Sequence, residues 1–311
     1  MSYVLNDTPH QKIPEETRRR VLDAAARLGY APSAAARALR SGRSDVVLCL
    51  LPDWPIGSEV GAMLANLSTA LAVQGMTFVA HPTARADRSI SDIWKAITPA
   101  AVLAFEELSD PEVAAMRAAG VAVVVALLGQ SPQRRRQLEE PQQRIGRLQV
   151  EHLASVGHTR LGYAYPDDER LRIFAQPRLA GARTACAELG LDPPLVHTVP
   201  LDADEAAVAV QLWRGARTAV TAVCAYNDEV ALAVLAGLRV LGLDAPGDLA
   251  VIGVDDIPVA RLSAPPLTTV RTDQAAVARH LAATILAVIS GAPEPTRPGS
   301  DIVQVTRRAS A

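Results

Sequence analysis

Apolar positions along this chain of 311 residues follow two different rhythms. Before residue 45 they recur at helical spacing. Val21, Leu22, Ala25 and Leu28 mark one face of a short amphipathic helix from Glu15 to Leu28, with Gly29 as its stop. Pro32 blocks continuation, and Ser33 is placed to cap a second short helix ending near Gly42. That helix has Leu39 as its only large apolar side chain, flanked by Arg37 and Arg40. About two turns with so little to bury are marginal in water.

From Val46 the rhythm changes to strand-sized apolar runs: Val46–Leu51, Thr77–Ala80, Ala101–Phe105, Val121–Leu127, Leu161–Tyr165, Leu195–Val199, Ala219–Cys224 and Leu249–Val254. Between them lie helical stretches at Gly57–Gln74, Asp110–Ala119, Ile145–Val156, Arg178–Leu189, Glu205–Arg214 and Asp228–Leu241. Continuous Val/Leu/Ile runs alternating with helices predict an α/β chain with parallel sheets covered on both faces. Eight strands exceed the usual size of one doubly wound sheet, so two sheets are expected. The polar, proline-marked stretch Ser131–Gln143 reads as a loop crossing between halves. Its Arg134, Arg135 and Arg136 would suit a phosphate, but the adjacent Glu139 and Glu140 favour a solvated loop.

Composition narrows the class. At 49% hydrophobic and 21% charged residues the chain is globular rather than disordered, and with 4% aromatics its cores must be built from Ala, Val, Leu and Ile. No apolar run is long enough to span a membrane, and the start MSYVLND lacks a basic region followed by an apolar one, so a cytoplasmic protein with no membrane partner is expected. Cys49, Cys186 and Cys224 are odd in number and each sits in an apolar segment, which predicts buried thiols. Charge is unevenly spread: residues 1–44 hold eight basic against four acidic side chains, a net +4, leaving −6 for the rest of a chain whose total is −2. Only the N-terminal segment is suited to meet a polyanion.

Catalytic signatures are missing from the sequence. No two glycines stand two apart as a dinucleotide loop requires, and Gly157–Gly162 has phosphate-loop spacing without the following Lys and Ser/Thr. G-x-S-x-G, H-E-x-x-H and C-x-x-C do not occur, and His10, His81, His152, His158, His197 and His280 lack metal-ligand spacing, reading instead as surface or loop residues. The expectation is a binding protein, not an enzyme, with no cofactor and no metal.

Several stretches in order along nearly the whole chain resemble the lactose/galactose repressor (LacI/GalR) family of bacterial transcription regulators. They are SYVLN (2–6), EETRRRVL (15–22), LGYAPS (28–33), AARALRSGRS (35–44), EHL (151–153) with Gly157-His158, RLAG (178–181), AYND (225–228), PGDLAVIGVDD (246–256) and PPLTTV (265–270). Each is weak alone; together they are specific. The resemblance implies a two-lobed periplasmic-binding-protein-like core with parallel sheets, preceded by a partial helix-turn-helix domain (1–29) and a hinge helix with its linker (30–44). The N-terminal lobe would comprise residues 45–141 and 272–290, the C-terminal lobe 142–271 and 291–311.

It also gives Leu39 a purpose. In such regulators paired hinge helices order in the minor groove and a leucine at this position wedges between base pairs. The DNA contacts implied are Ser2, Tyr3, Asn6, Thr17, Tyr30, Ser33, Ala36, Arg37 and Leu39. Met1 falls midway through what would be the recognition helix, so either the start codon is internal to a longer gene or the chain is a truncated regulator. Weak operator binding is expected of the chain as it stands.

Family pocket positions map onto Arg178, Asn227 and Asp255, each just past a strand or at a helix start, where side chains can reach a crevice. A guanidinium, a carboxamide and a carboxylate suit a polyol, or an anion if Arg178 leads. Asn227 and Asp228 are also placed to cap the following helix, and Asp255 a turn, roles compatible with ligand contact. Asp53 and Trp54, after the first strand, offer a polar group and a stacking ring, or merely a loop. Leu127 and Leu128 stand where sugar-binding members often carry a carboxylate, which leaves a non-sugar effector open. The partners implied are operator DNA, a small polar effector and a second copy of the chain, with residues 58–74 contributing to a dimer face. No heptad run follows Arg308, so a zipper-made tetramer is not expected. A solute-binding protein without a DNA role would share the core but has no use for Arg37, Leu39 and Arg40.

Overall fold

The computed structural model describes residues 4, 13–28, 44–83, 89–125 and 132–311. Helix α1 (Glu15–Arg27) begins with Glu15 and Glu16 and ends with Arg27, which places charge where the helix dipole favours it. A four-stranded parallel sheet follows, built from β1 (Val46–Leu51), β2 (Thr77–Pro82), β3 (Ala101–Ala104) and β4 (Ala122–Val125) in the order β2-β1-β3-β4. The period-two alternation of β1 splits its side chains between two cores. Val47 and Cys49 pack with Leu67 and Leu71 of α2 (Ser58–Ala72), and Leu48 and Leu50 pack with Ile93 and Trp94 of α3 (Ile90–Ile97) and Met116 of α4 (Asp110–Ala118). With both faces covered, every residue of β1 after Val46 is buried, hence the unbroken apolar run.

The larger sheet has the order β10-β9-β8-β7-β5-β6. It comprises β5 (Leu161–Pro166), β6 (Leu195–Val199), β7 (Ala222–Ala225), β8 (Ala250–Val254), β9 (Thr268–Thr272) and an antiparallel edge, β10 (Val303–Thr306). One face is covered by α5 (Pro132–Ser155) and α6 (Arg172–Glu188), the other by α7 (Ala203–Arg214) and α8 (Asp228–Val240). Helix α9 (Gln274–Ser290) returns to the smaller sheet, where Ala278, Ala282 and Ile285 join the core of Val47 and Leu103. Two lobes therefore share one chain that crosses between them more than once.

Two sheets, parallel but for the β10 edge and with helices on both faces, match the expected architecture, and all three cysteines are free and buried. Burial pushes the Cys49 thiol up to about 12, which leaves it unreactive near neutral pH. Three expectations are corrected. The stretch 132–143, read as a loop, is the first half of α5 and carries Pro141 inside the helix. Helix α6 likewise begins at Arg172, not Arg178, and accommodates Pro177, so Phe174 lies within it. His152, expected on the surface, is 5% exposed on the inner side of α5, and burial lowers its pKa.

Both proline misreadings have one cause. A proline inside a helix forfeits a backbone bond and disfavours continuation, but here packing prevails. Helices α5 and α6 touch backbone to backbone, notched by glycines: a Cβ on Gly146 would stand 1.9 Å from the Arg178 carbonyl oxygen, and one on Gly181 would stand 2.0 Å from that of Gln143. Gly146→Ala is therefore expected to destabilise the fold by about 3 kcal/mol, seen as a lower urea midpoint at unchanged slope. Gly190→Ala, at φ 69° with open space around it, is expected to cost only about 1 kcal/mol. Equal midpoints for the two variants would refute this account of the helix pair.

Candidate effector crevice

Carboxyl ends of β1, β5, β7 and β8 deliver the chain into the region between the lobes, where turns leave side chains free to face a ligand. Arg178 is the centre of the C-terminal wall. One and a half turns into α6, its side chain is only 9% exposed. Its Nε donates to Gln142 Oε1 (2.7 Å), Nη1 donates to the Tyr226 carbonyl (2.7 Å), and Nη2 stands 3.8 Å from Asp255 Oδ1. The guanidinium also lies 4.7 Å from the centre of the Tyr226 ring. Burial works against this charge, but Tyr226, Asp255, Tyr163 and Glu59 outweigh it and hold the Arg178 pKa above its ordinary value.

Asn227 sits at the N-cap of α8, its Oδ1 accepting from the Val230 amide at 2.9 Å and its Nδ2 lying 3.5 Å from Glu229 Oε2. Capping is thus one role it fills. Asp255 follows β8 with φ 106°, and burial raises its pKa against the pull of Arg178. The adjoining strand ends are tied by Gln149 of α5, which is fully buried and donates to the Ala225 carbonyl at 2.7 Å.

Across the crevice stand Asp53, Trp54 and Glu59. Asp53 Oδ1 lies 3.4 Å from Arg170 Nη1, an ion pair between lobes. The Trp54 ring is 5.3 Å from Phe105 in its own lobe and 5.2 Å from Phe174 in the other, the latter edge to face. Gly57 approaches Glu229 from the opposite wall, its Cβ position 3.7 Å from Oε1. Glu59, in the first turn of α2, accepts from Gln274 Nε2 at the start of α9. Its carboxyl is pushed up to about 8, first by burial and then by Asp255, with Arg178 acting in the other direction.

The structure thus brings Asp53, Trp54, Arg178, Asn227 and Asp255 to the two walls of one crevice. Sequence reasoning did not pick out Glu59, Gln142, Phe174, Arg170, Tyr226 or Gln274. Glu59 looked like any acid in a first turn, and Gln142 lay in the supposed loop. Among the residues expected to contact DNA, Thr17 is exposed on α1, whereas Ser2, Tyr3, Asn6, Tyr30, Ser33, Ala36, Arg37 and Leu39 lie outside the described residues. Among the described residues no group of three or more His, Cys, Asp or Glu is placed to hold a metal ion, and no helix is long and apolar enough to cross a membrane.

Glu59 carries a pH signature. Its pKa is near 8 in the folded chain and close to 4.5 when unfolded, so the folded state binds the extra proton between those values and loses that advantage as pH rises through them. Glu59→Gln removes the titration while keeping a hydrogen-bonding side chain. The melting temperature of Glu59→Gln relative to the parent chain is expected to climb steadily from pH 5 to pH 8. A constant difference would show that Glu59 is already ionised in the crevice at pH 5.

Comparison with known proteins places these features. Residues 150–311 match the model of the periplasmic binding protein-like domain, about half of the chain. The regulator MalR of Streptomyces coelicolor is 36% identical over 156 residues, which are 48% of this chain and 44% of MalR, so the match spans less than half of that relative's length. The regulator GalR of Escherichia coli K12 is 29% identical over 306 residues, 95% of this chain and 86% of GalR. Among solved structures, the lac repressor dimer bound to operator and the anti-inducer ONPF superposes with a TM-score of 0.73 at 21% identity, covering 99% of this chain and 93% of that one. The regulator CelR in complex with cellobiose gives 0.68 at 24%, covering 100% and 94%. The chain belongs to the lactose/galactose repressor (LacI/GalR) family and carries its periplasmic binding protein-like domain.

Proposed function

We propose that this chain is a transcriptional regulator, of repressor type, whose hold on operator DNA is switched by a small polar molecule bound between its lobes. The observation that carries the reading is the crevice itself. Arg178, Asn227 and Asp255 on one wall face Asp53, Trp54 and Glu59 on the other, and ion pair and aromatic contact cross the gap. A molecule that bridges the walls changes the free energy of lobe closure by its differential affinity for the two arrangements. The N-terminal lobe follows directly on the basic segment 1–44, so rotation of that lobe moves the hinge residues 33–42. In a homodimer this alters whether two copies of Leu39 can meet in one minor groove. Domain limits on this reading are 1–29, 30–44, 45–141 with 272–290, and 142–271 with 291–311. The chain performs no chemistry of its own and works in the cytoplasm, where its operator is. The effector is a sugar or another polar metabolite.

The test uses the protein as its own genome encodes it. Selection from a pool of random duplexes is expected to enrich a pseudo-palindromic site, and Leu39→Ala is expected to weaken binding to that site at least about tenfold by removing the wedge. Binding without sequence preference, or an unchanged Leu39→Ala affinity, would refute the reading.

A further inference from the structure

Asp255 reaches the crevice on backbone that side-chain-bearing residues avoid. Its φ is 106°, and Asp256 follows at 55°. Such conformations are strained and persist only where the surroundings over-determine them. The inner side of this turn is held through its amides. Asp255 N–H donates to the Val270 carbonyl at 2.7 Å, and Ile257 N–H donates to Asp228 Oδ2 at 2.9 Å. Asp228 also accepts from the Thr269 hydroxyl at 2.6 Å, and Asp256 N–H lies 3.4 Å from that same hydroxyl oxygen.

The side chain of Asp256 is held from the far end of the chain. Arg308 donates through Nη1 to the Leu267 carbonyl at 2.8 Å and through Nη2 to Asp256 Oδ1 at 2.5 Å. Both partners of this ion pair are largely out of water, with side chains 16% and 20% exposed. Arg308 is in turn fixed by its strap: its amide donates to Thr268 Oγ1 at 2.9 Å, Ala309 N–H donates to the Pro266 carbonyl at 3.0 Å, and the fully buried Ser310 hydroxyl donates to the Val251 carbonyl at 2.6 Å.

We propose that Arg308 is a positioning residue that, by gripping Asp256, holds the Asp255 carboxylate in the crevice opposite Glu59 and beside Arg178. The inference rests on reading Asp255 as an effector contact and adds a residue outside the crevice on which that contact depends. A planar fork joins a carbonyl and a carboxylate at fixed separation; a lysine ammonium carries the same charge without that geometry.

The test reads Asp255 directly. Its carboxyl carbon is followed by NMR through a pH titration of the full chain, assigned with Asp255→Asn, in the parent, Arg308→Lys and Arg308→Met. The charged groups around it are Arg178, Glu59, Glu229, Asp228 and Asp256. Burial keeps the Asp255 pKa high in the parent, so release of its side chain to water lowers it. Loss of a nearby positive charge alone would raise it, and Arg308→Lys loses no charge. The proposal expects a fall of about one pH unit or more in both variants. A rise in Arg308→Met with no change in Arg308→Lys would make Arg308 a distant charge only, and no change in either would make it a packing residue only; both overturn the proposal. If Arg308→Met fails to fold, Arg308→Lys decides. Neither ligand nor DNA enters the titration, so its failure leaves the regulator reading standing, and that reading fails or survives on operator selection alone.

Discussion

A guanidinium taken out of water has to be compensated on every side, and Arg178 sets that demand at the middle of this molecule. It is met from three directions: the Gln142 amide oxygen from α5, the Tyr226 carbonyl and ring from the end of β7, and Asp255 from the end of β8. Each partner constrains its own segment. Gln142 can reach only because α5 continues through Pro141 and lies against α6 at glycine contact distance. Asp255 can reach only because two residues accept left-handed backbone, braced by Asp228 beneath and Arg308 outside. One buried charge therefore fixes the relation of a helix pair, two strand ends and the chain terminus.

The same arrangement concentrates carboxylates where the two lobes meet. Asp255 lies close to Glu59, Glu229 and Arg178, and burial together with repulsion from Asp255 keeps a proton on Glu59 near neutral pH. A polar ligand that donates hydrogen bonds to these oxygens, or contributes a positive charge, replaces that compromise with specific contacts. Glu59 belongs to one lobe and Asp255 to the other, so their mutual repulsion acts between the lobes. Trp54 against Phe174 and Asp53 against Arg170 are the contacts any change in lobe angle must remake.

Much of the scaffold is legible in the sequence, because doubly covered parallel strands leave unbroken apolar runs such as Val46–Leu51. The elements that escaped are those whose signals conflict or hide. Prolines 141 and 177 announce boundaries that packing overrides. Strand β9 reads as TTVRT, with Thr268 and Thr269 fully buried yet polar, satisfied by Ser310, Ala311 and Asp228 from distant parts of the chain. Helix α3, by contrast, carries a clean 90, 93, 94, 97 stripe. In the crevice, Arg178, Asn227 and Asp255 were legible through the family resemblance. Glu59 and Gln274 were not, because a first-turn acid facing a ligand looks the same in sequence as one facing water, and only tertiary folding distinguishes them.

The account stands most directly on the coupling between Arg178 and Asp255, measured as a double-mutant cycle in urea denaturation with Arg178→Met, Asp255→Asn and the pair. Removing Arg178 alone leaves carboxylates buried without their partner, a loss expected to be about 3–5 kcal/mol, and replacing Asp255 as well is expected to restore a sizeable part of it. Strictly additive effects of the two substitutions would mean that the arginine and the aspartate do not sustain one another, and the interaction on which the crevice is said to be built would not exist.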